Sequence, residues 1–509
     1  MTPSTQHKHV GCCSCQGSAA GCRVLPSVNR RGFLNLSGAT LGSALLSPYF
    51  RGLVSASEVG APYDEVAPVT CSGPGACYVP TVKAVGYYRP RDEQGYASGG
   101  ETYVTHEVEA VFKDYCQHLR DGAEELGVKL DLEPQPLHGV EAAAAWVAKA
   151  KEEKPDGLVA MNLDLGSGGI DAAIAAAGLP TVFFLPTGIL FGRVPDHFRQ
   201  PGCLLCSTND FRQVIDGMKM IRAAAKLREM RYLLVSGNRR HEEKMAFFGS
   251  SLRYLPESIW KGEYDKVEDD ADVKPIAEFY LRAAAEISGP SEADAWNAAR
   301  CYLAVRNLMH EEEGDAFTMN CLGATSHILP FPCIAFSRLL DQGVPAACER
   351  DMSSGICLAL SQLLFDRPGF QNNLCPDTSD GCMIASHCTG PLRLGGTTAE
   401  HQPFILRNHH RRRDAVPVAH WPEGQRVTTI DVSLGAEPRM SIVTGTVVDN
   451  LRVPPSAGCA MLVKWQPDGD VDVLNYPIVH NHHFVTFFGD FKKQLADFCQ
   501  LSRIRAVSV

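Results

Sequence analysis

From Val82 onward, short apolar runs alternate with longer amphipathic ones, and this alternation restricts the possible folds more than any other feature of the chain. Val82-Lys-Ala-Val-Gly-Tyr-Tyr88 reads as a strand. Between His106 and Leu126 the side chains Val108, Val111, Phe112, Tyr115 and Leu119 recur at helical spacing. Val128 to Leu132 is then a strand, Val140 to Lys154 a helix and Gly157 to Met161 a strand; Gly169 to Ala177 is a helix and Leu179 to Leu185 a strand. Strands joined through helices run parallel, and a parallel sheet needs cover on both faces. Gly166-Ser167-Gly168-Gly169 falls at one strand-to-helix turn. It lacks the Gly-x-Gly-x-x-Gly spacing of a dinucleotide loop and reads as a tight turn.

A second unit of this kind begins near Gly202. Cys203 to Ser207 and Tyr232 to Ser236 read as strands, and Asn209-Asp210 is placed to cap a helix running to about Met230. Helices over Pro275 to Ile287 and Glu292 to Met309 follow, then a strand from Ala316 to Cys321; the charged stretch Lys266 to Asp272 reads as a surface loop. Past about Pro368 strand-like runs dominate: Arg426 to Ser433, Met440 to Val448, Ala460 to Trp465 and Val471 to Leu474, with Gly and Pro between them and a closing helix from Phe491 to Leu501. That texture suits a compact barrel or sandwich. The expected fold is α/β. Two doubly wound, parallel-sheet (Rossmann-like) domains occupy residues 80–200 and 201–365, and a C-terminal β-rich, barrel-like domain with a terminal helix occupies 366–509. A chain of 509 residues matches a length expectation of roughly three domains.

The formal net charge is -10 and no section is basic, which argues against a nucleic-acid partner. The run His409-His410-Arg411-Arg412-Arg413 is local and reads as a solvated loop or an anion contact. Of 19 cysteines, Cys12, Cys13, Cys15 and Cys22 lie in the leading segment. The others are odd in number and mostly sit in apolar runs, as Cys333, Cys357 and Cys388 do, so buried thiols are expected rather than a disulfide framework. Cys203-Leu-Leu-Cys206 has redox-motif spacing, but its apolar middle makes it a core strand.

Residues 1–57 read as a targeting segment. Asn29-Arg30-Arg31-Gly32-Phe33-Leu34 resembles the twin-arginine export signal, and the apolar stretch Leu34 to Leu46 that follows is shorter than the about 20 residues a bilayer span needs. Val54-Ser55-Ala56 offers a small-residue cleavage site. Export by this route to the periplasm is expected, with no stable membrane insertion once the signal is removed. Gly11-Cys12-Cys13-Ser14-Cys15 has a composition able to hold a soft metal.

Three separated stretches carry the chemistry. Gly343 to Leu364 places Glu349 and Asp351 at a helix start, after an apolar run; Ile384-Ala385-Ser386-His387-Cys388 closes a second apolar run on a histidine; His480-Asn481-His482-His483 stands near the C-terminus. Each has a plain reading: acids at a helix N-terminus, a core histidine, a surface pair. Together they form the carboxylate–imidazole ligand set of a divalent ion such as manganese.

Ala347-Cys-Glu-Arg-Asp351, Ser386-His387-Cys388 and Asn481-His-His-Phe-Val-Thr486, in this order and spacing, resemble the sugar isomerases of the L-fucose isomerase and L-arabinose isomerase group. The resemblance covers most of the chain after the leading segment. It implies an aldose–ketose isomerase acting on a monosaccharide as a homo-oligomer. A divalent metal, usually Mn2+, is held by two carboxylates and one or two histidines, and a proton moves between C1 and C2 through an enediol. On this resemblance Glu349 is a metal ligand and acid/base group, His387 a ligand, and His482 or His483 a further ligand, with either of the pair able to face inward. The second carboxylate should fall within Phe370-Gln371-Asn372-Asn373-Leu374, where both candidate positions are asparagine. An amide oxygen such as that of Asn373 can still ligate a hard cation but cannot carry a proton, so Asp351 or Asp377 would have to substitute as the second catalytic carboxylate. Arg407 with His409-His410 resembles a substrate-proximal loop of the group. A non-catalytic sugar-binding protein on the same fold is the alternative. A periplasmic-type binding protein with two α/β lobes is a third reading, and leaves Glu349, His387 and the β-rich tail without a reason.

Overall fold

The computed structural model describes residues 66, 68–89, 107–165, 167–267, 271–323, 329–409, 413–452, 459–469, 471–476, 478–479 and 482–508. The export signal, its cleavage site and the Cys12–Cys15 cluster lie outside the described residues, as do Gly166, His410, His480 and Asn481.

The first sheet contains β1 (Thr81–Tyr87), β2 (Lys129–Leu132), β3 (Gly157–Asn162), β4 (Thr181–Leu185) and β5 (Cys203–Ser207) in the order β2-β1-β3-β4-β5, every pairing parallel. β3 and β4 are buried along their whole length, as strands sandwiched between helices must be. The helix Val108–Leu126 ends where Gly127 takes φ 62°, a left-handed position that glycine enters without a Cβ penalty. Cys203–Ser207, which opens the second unit by sequence pattern, pairs here with β4.

The second sheet has β6 (Arg231–Val235), β7 (His241–Lys244) and β8 (Ser251–Leu255). After β9 (Glu286–Ser288), which belongs elsewhere, come β10 (Ala316–Met319) and β11 (Ala346–Ala347). The order is β11-β10-β6-β8-β7, parallel except for β7 against β8. β7, His-Glu-Glu-Lys, is exposed throughout, and its charges blunt the open edge.

The remainder supplies β12 (Phe370–Asp377), β13 (Cys382–His387), β14 (Phe404–Arg407), β15 (Val416–Ala419), β16 (Arg426–Ser433), β17 (Arg439–Asn450), β18 (Met461–Pro467), β19 (Phe484–Phe488) and β20 (Arg505–Ser508). Six of them, β16-β19-β12-β13-β18-β17, close into an antiparallel barrel through β16–β17, and β20 adds to β17 in parallel. β14 and β15 form a small sheet with β9, so residues expected to end a helix at Ile287 instead bridge the second α/β section to the barrel section. The helix there is Val273–Ala283. Val471–Leu474 is a turn and not the expected strand: Asp472 accepts from the Leu474 amide at 2.9 Å, the side-chain-closed turn that aspartate favours. Among the described residues no helix is long and apolar enough to cross a membrane. The described residues all belong to one compact unit, and the helix Met352–Phe365 packs against β16 and β19. That packing sets the end of β11, the end of β13 and the start of β19 beside one another.

Candidate metal centre

Asp351 caps the helix Met352–Phe365. Its side chain accepts from the amides of Ser353 at 2.9 Å and Ser354 at 3.2 Å, and from the Ser354 hydroxyl at 2.8 Å. The turn leading into this cap is strained. Glu349 and Arg350 both lie in the left-handed region, at φ 61° and φ 60°. Bonds at both ends hold it there. The Arg350 amide donates to the Met319 carbonyl at 3.2 Å. Gln371, on β12, accepts from the Cys348 amide at 2.7 Å and donates to the Cys348 carbonyl at 3.2 Å.

This turn delivers the Glu349 carboxylate to two buried histidines. His387 is the last residue of β13, and His483 stands just before β19; each side chain is only 1 % exposed, while that of Glu349 is 25 % exposed and so reachable from solvent. His387 Nε2 lies 3.6 Å from Glu349 Oε1, and His483 Nε2 lies 3.7 Å from Glu349 Oε2. Two ligands bound at about 2.1 Å to one ion stand roughly 3.0–3.4 Å apart for octahedral through tetrahedral angles. The two carboxylate–imidazole distances are close to that span, and donor atoms of the three side chains all lie within 4.8 Å of one another. Both ring nitrogens of His387 are buried without a hydrogen-bond partner, an expensive state for a polar group unless a ligand completes it. His483 has its other nitrogen fixed: Nδ1 meets Asp351 Oδ2 at 2.9 Å. A carboxylate on the far nitrogen is the usual way a metal-ligating imidazole is oriented.

A second grouping, Asp351 with His482 and His483, is also close enough to hold an ion. The two groupings compete for His483. In the second, the Asp351–His483 pair is already satisfied as a hydrogen bond, and His482 is exposed. Only the first would give a His387 nitrogen a partner, which makes Glu349, His387 and His483 the better candidate set. The His387 ring beside it holds the Glu349 carboxyl below its ordinary range, despite partial burial. Burial pushes the Asp351 carboxyl up, but the His483 ring and the Ser354 hydroxyl and amide outweigh it, and the net direction is down.

The other expected residues fall elsewhere. Asn373 is exposed on β12, and its amide nitrogen donates to the His482 carbonyl at 3.2 Å. Asn372 is fully buried, donating to the Phe370 carbonyl at 2.7 Å and to Thr486 Oγ1 at 3.0 Å. Asp377, at the far end of β12, is paired with Lys464 at 2.6 Å. The sequence reading missed Gln371. It sits in the segment searched for a carboxylate, yet its contribution is a two-bond clamp on backbone 23 residues away, for which no residue spacing is diagnostic.

No protein-family model and no curated protein matches the chain. Solved structures with some likeness include a periplasmic solute-binding protein of an ABC transporter from Actinobacillus succinogenes with bound D-allose (10% identity, 56% of this chain and 91% of that one, TM-score 0.17). Another is a sugar-binding protein of a sugar ABC transporter from Bacillus halodurans (12% identity, 59% and 91%, TM-score 0.16). A third is LsrB from Clostridium saccharobutylicum in complex with AI-2 (12% identity, 66% and 94%, TM-score 0.17). Likeness at this level carries no argument about fold or function.

Proposed function

We propose that the protein is an exported, metal-dependent aldose–ketose isomerase acting on a monosaccharide as a homo-oligomer, built from two doubly wound Rossmann-like domains and the barrel. The observation that carries the reading is the convergence of Glu349, His387 and His483, with the buried His387 nitrogens left without a hydrogen-bond partner. A divalent ion of the Mn2+ class suits this oxygen–nitrogen set; when bound, it supplies Lewis-acid polarisation of a sugar carbonyl. The chain's own residues do the rest. Glu349, held ionised by its histidine neighbour and open to solvent on one side, would take the proton from the carbon beside the carbonyl and return it to the carbonyl carbon, while the hydroxyl proton on that neighbouring carbon's oxygen passes through solvent to the former carbonyl oxygen. Asp351 acts as a positioning residue, fixing the His483 ring so that Nε2 points toward Glu349.

The test is ketose formation from a panel of aldoses by Mn2+-loaded protein. Turnover that disappears on chelation and returns with the metal supports the reading; metal-loaded protein that converts none of the aldoses rejects it. One observation favours a second reading, a sugar-binding protein without turnover: neither Asn372 nor Asn373 supplies a carboxylate, and Asp351 and Asp377 are engaged in other bonds. Sugar binding in calorimetry without conversion would select it. Export is checked separately. Arg30→Lys with Arg31→Lys should hold the chain in the cytoplasm as a longer precursor, and unchanged export would reject the twin-arginine reading.

A further inference from the structure

Glu349 and His387 also border a small pocket whose remaining wall is rich in sulfur: Cys321, Cys333, Cys348 and Cys388, with His409 and Phe331. The space takes little more than one water-sized guest. Five separate segments deliver the donors. Cys321 follows β10, Cys333 opens the helix Cys333–Asp341, Cys348 follows β11, Cys388 follows β13 and His409 follows β14. Cys459 packs against the same apolar cluster as Cys333 and Cys388. The described residues contain 15 reduced cysteines, so the pocket collects four of them around one water-sized space.

A buried cysteine is ordinarily a small apolar filler. Filler, however, closes space, and here space remains between thiols and a buried imidazole. The imidazole is set in place: the His409 ring stacks on Phe331 with 3.7 Å between centroids, and its Nε2 meets Cys388 Sγ at 3.1 Å. Among the described residues no three donors that include a thiol lie as close together as those of the carboxylate–histidine centre. An ion that demands four ligands in a tetrahedron, as structural zinc does, is therefore poorly served. A soft d10 ion content with two sulfur and nitrogen ligands fits better. Ligand softness also separates the two centres, since oxygen-rich sites take Mn2+ and thiolates take soft ions.

We infer that this thiol-walled pocket is a binding site for a soft monovalent cation of the Cu(I) class, held between Cys388 and His409. Each thiol that ligates gives its proton to solvent as the ion binds, and no electron is transferred. The inference does not depend on isomerase activity, because its readout is metal retention.

The experiment is an anaerobic titration of the full chain with Cu(I) against a chromophoric Cu(I) chelator, in the presence of saturating Mn2+. It uses a background in which Cys12, Cys13, Cys15, Cys22, Cys77 and Cys375 are serine, so that leading-segment and exposed thiols do not compete. One Cu(I) per chain should resist the chelator. Cys388→Ser should weaken retention by at least the about 10–100-fold that loss of even an outer-shell partner costs a metal site. Cys116→Ser, elsewhere in the core, should leave it unchanged. Should Cys388→Ser fail to fold, His409→Gln is read in its place, and X-ray absorption of the copper-loaded background protein should show sulfur and nitrogen neighbours. No retained copper, unchanged retention in Cys388→Ser and His409→Gln, or copper with oxygen and nitrogen neighbours alone would overturn the inference.

Discussion

Glu349 and Arg350 occupy left-handed backbone conformations in succession, each costing of order 1–3 kcal/mol for a residue with a Cβ. The surrounding bonds sustain this: the Gln371 clamp on Cys348, the Arg350 amide on Met319, and the Arg350 guanidinium on Ser236 Oγ at 3.0 Å. The result aims a carboxylate at two buried rings. Gln371→Ala should thus act on the centre without touching it. It leaves the buried Cys348 amide unpaired, a loss of about 1–3 kcal/mol, and lets Glu349 drift. Thermal melts should show lower stability, and metal titration a weaker Mn2+ affinity; an unchanged melt would show the clamp to be idle. Glu349→Gln tests the carboxylate itself. It should lower ketose formation by about 10²–10⁴-fold while also weakening metal binding, and turnover left intact would defeat its assigned role.

At the scale of elements, Asp351 joins the helix Met352–Phe365 to the start of β19, being both the helix cap and the partner of His483. Asp351→Ala should cost about 0.5–2 kcal/mol as a lost cap and about 10–100-fold in metal affinity as a lost orienting group. A variant with the first effect and not the second would reduce Asp351 to a cap. In the first sheet, Asp171 on the helix Gly168–Ala175 accepts from Tyr87, at the end of β1, and from Asn162, at the end of β3. Burial raises its carboxyl to about 6, against the lowering pull of those two donors. The folded chain therefore keeps a proton that the unfolded chain has released between 3.8 and about 6, and its stability should fall as pH rises through that window. Denaturation midpoints across it should show the slope in wild type and a flatter profile in Asp171→Asn; the same slope in both would reassign it. Elements are visible in the sequence to the degree that burial writes a period into them. β3 and β4 stand out as apolar runs, and β5 and β16 keep the ends their patterns suggest. β7 is hidden because an exposed edge of His-Glu-Glu-Lys carries no apolar period. Val471–Leu474 misleads because its alternation comes from a turn closed by Asp472.

For the whole molecule, three sections of the chain meet at one centre, and sequence shows the participants better than their geometry. Glu349, His387 and the His482-His483 pair stand out by residue type. That His483 and not His482 faces Glu349 follows from what precedes β19, where one ring is buried and its neighbour exposed. Asn373 turns outward because successive strand residues point to opposite faces, and Asn372 takes the buried side. The sulfur wall is assembled from four separate segments, with His409 from a fifth, and no local spacing announces it. A cation that ties β11, β13 and β19 together should also stabilise the fold, by about 2.7 kcal/mol at a hundredfold excess over its dissociation constant; melts with Mn2+ and with chelator should differ accordingly. The most direct test of the central claim is Mn2+ binding followed by electron paramagnetic resonance in wild type, His387→Gln and Asp377→Asn. The centre described here predicts one Mn2+ per chain in wild type and in Asp377→Asn, and a loss of that ion in His387→Gln. Equal binding in His387→Gln, or no bound Mn2+ in wild type, would contradict it.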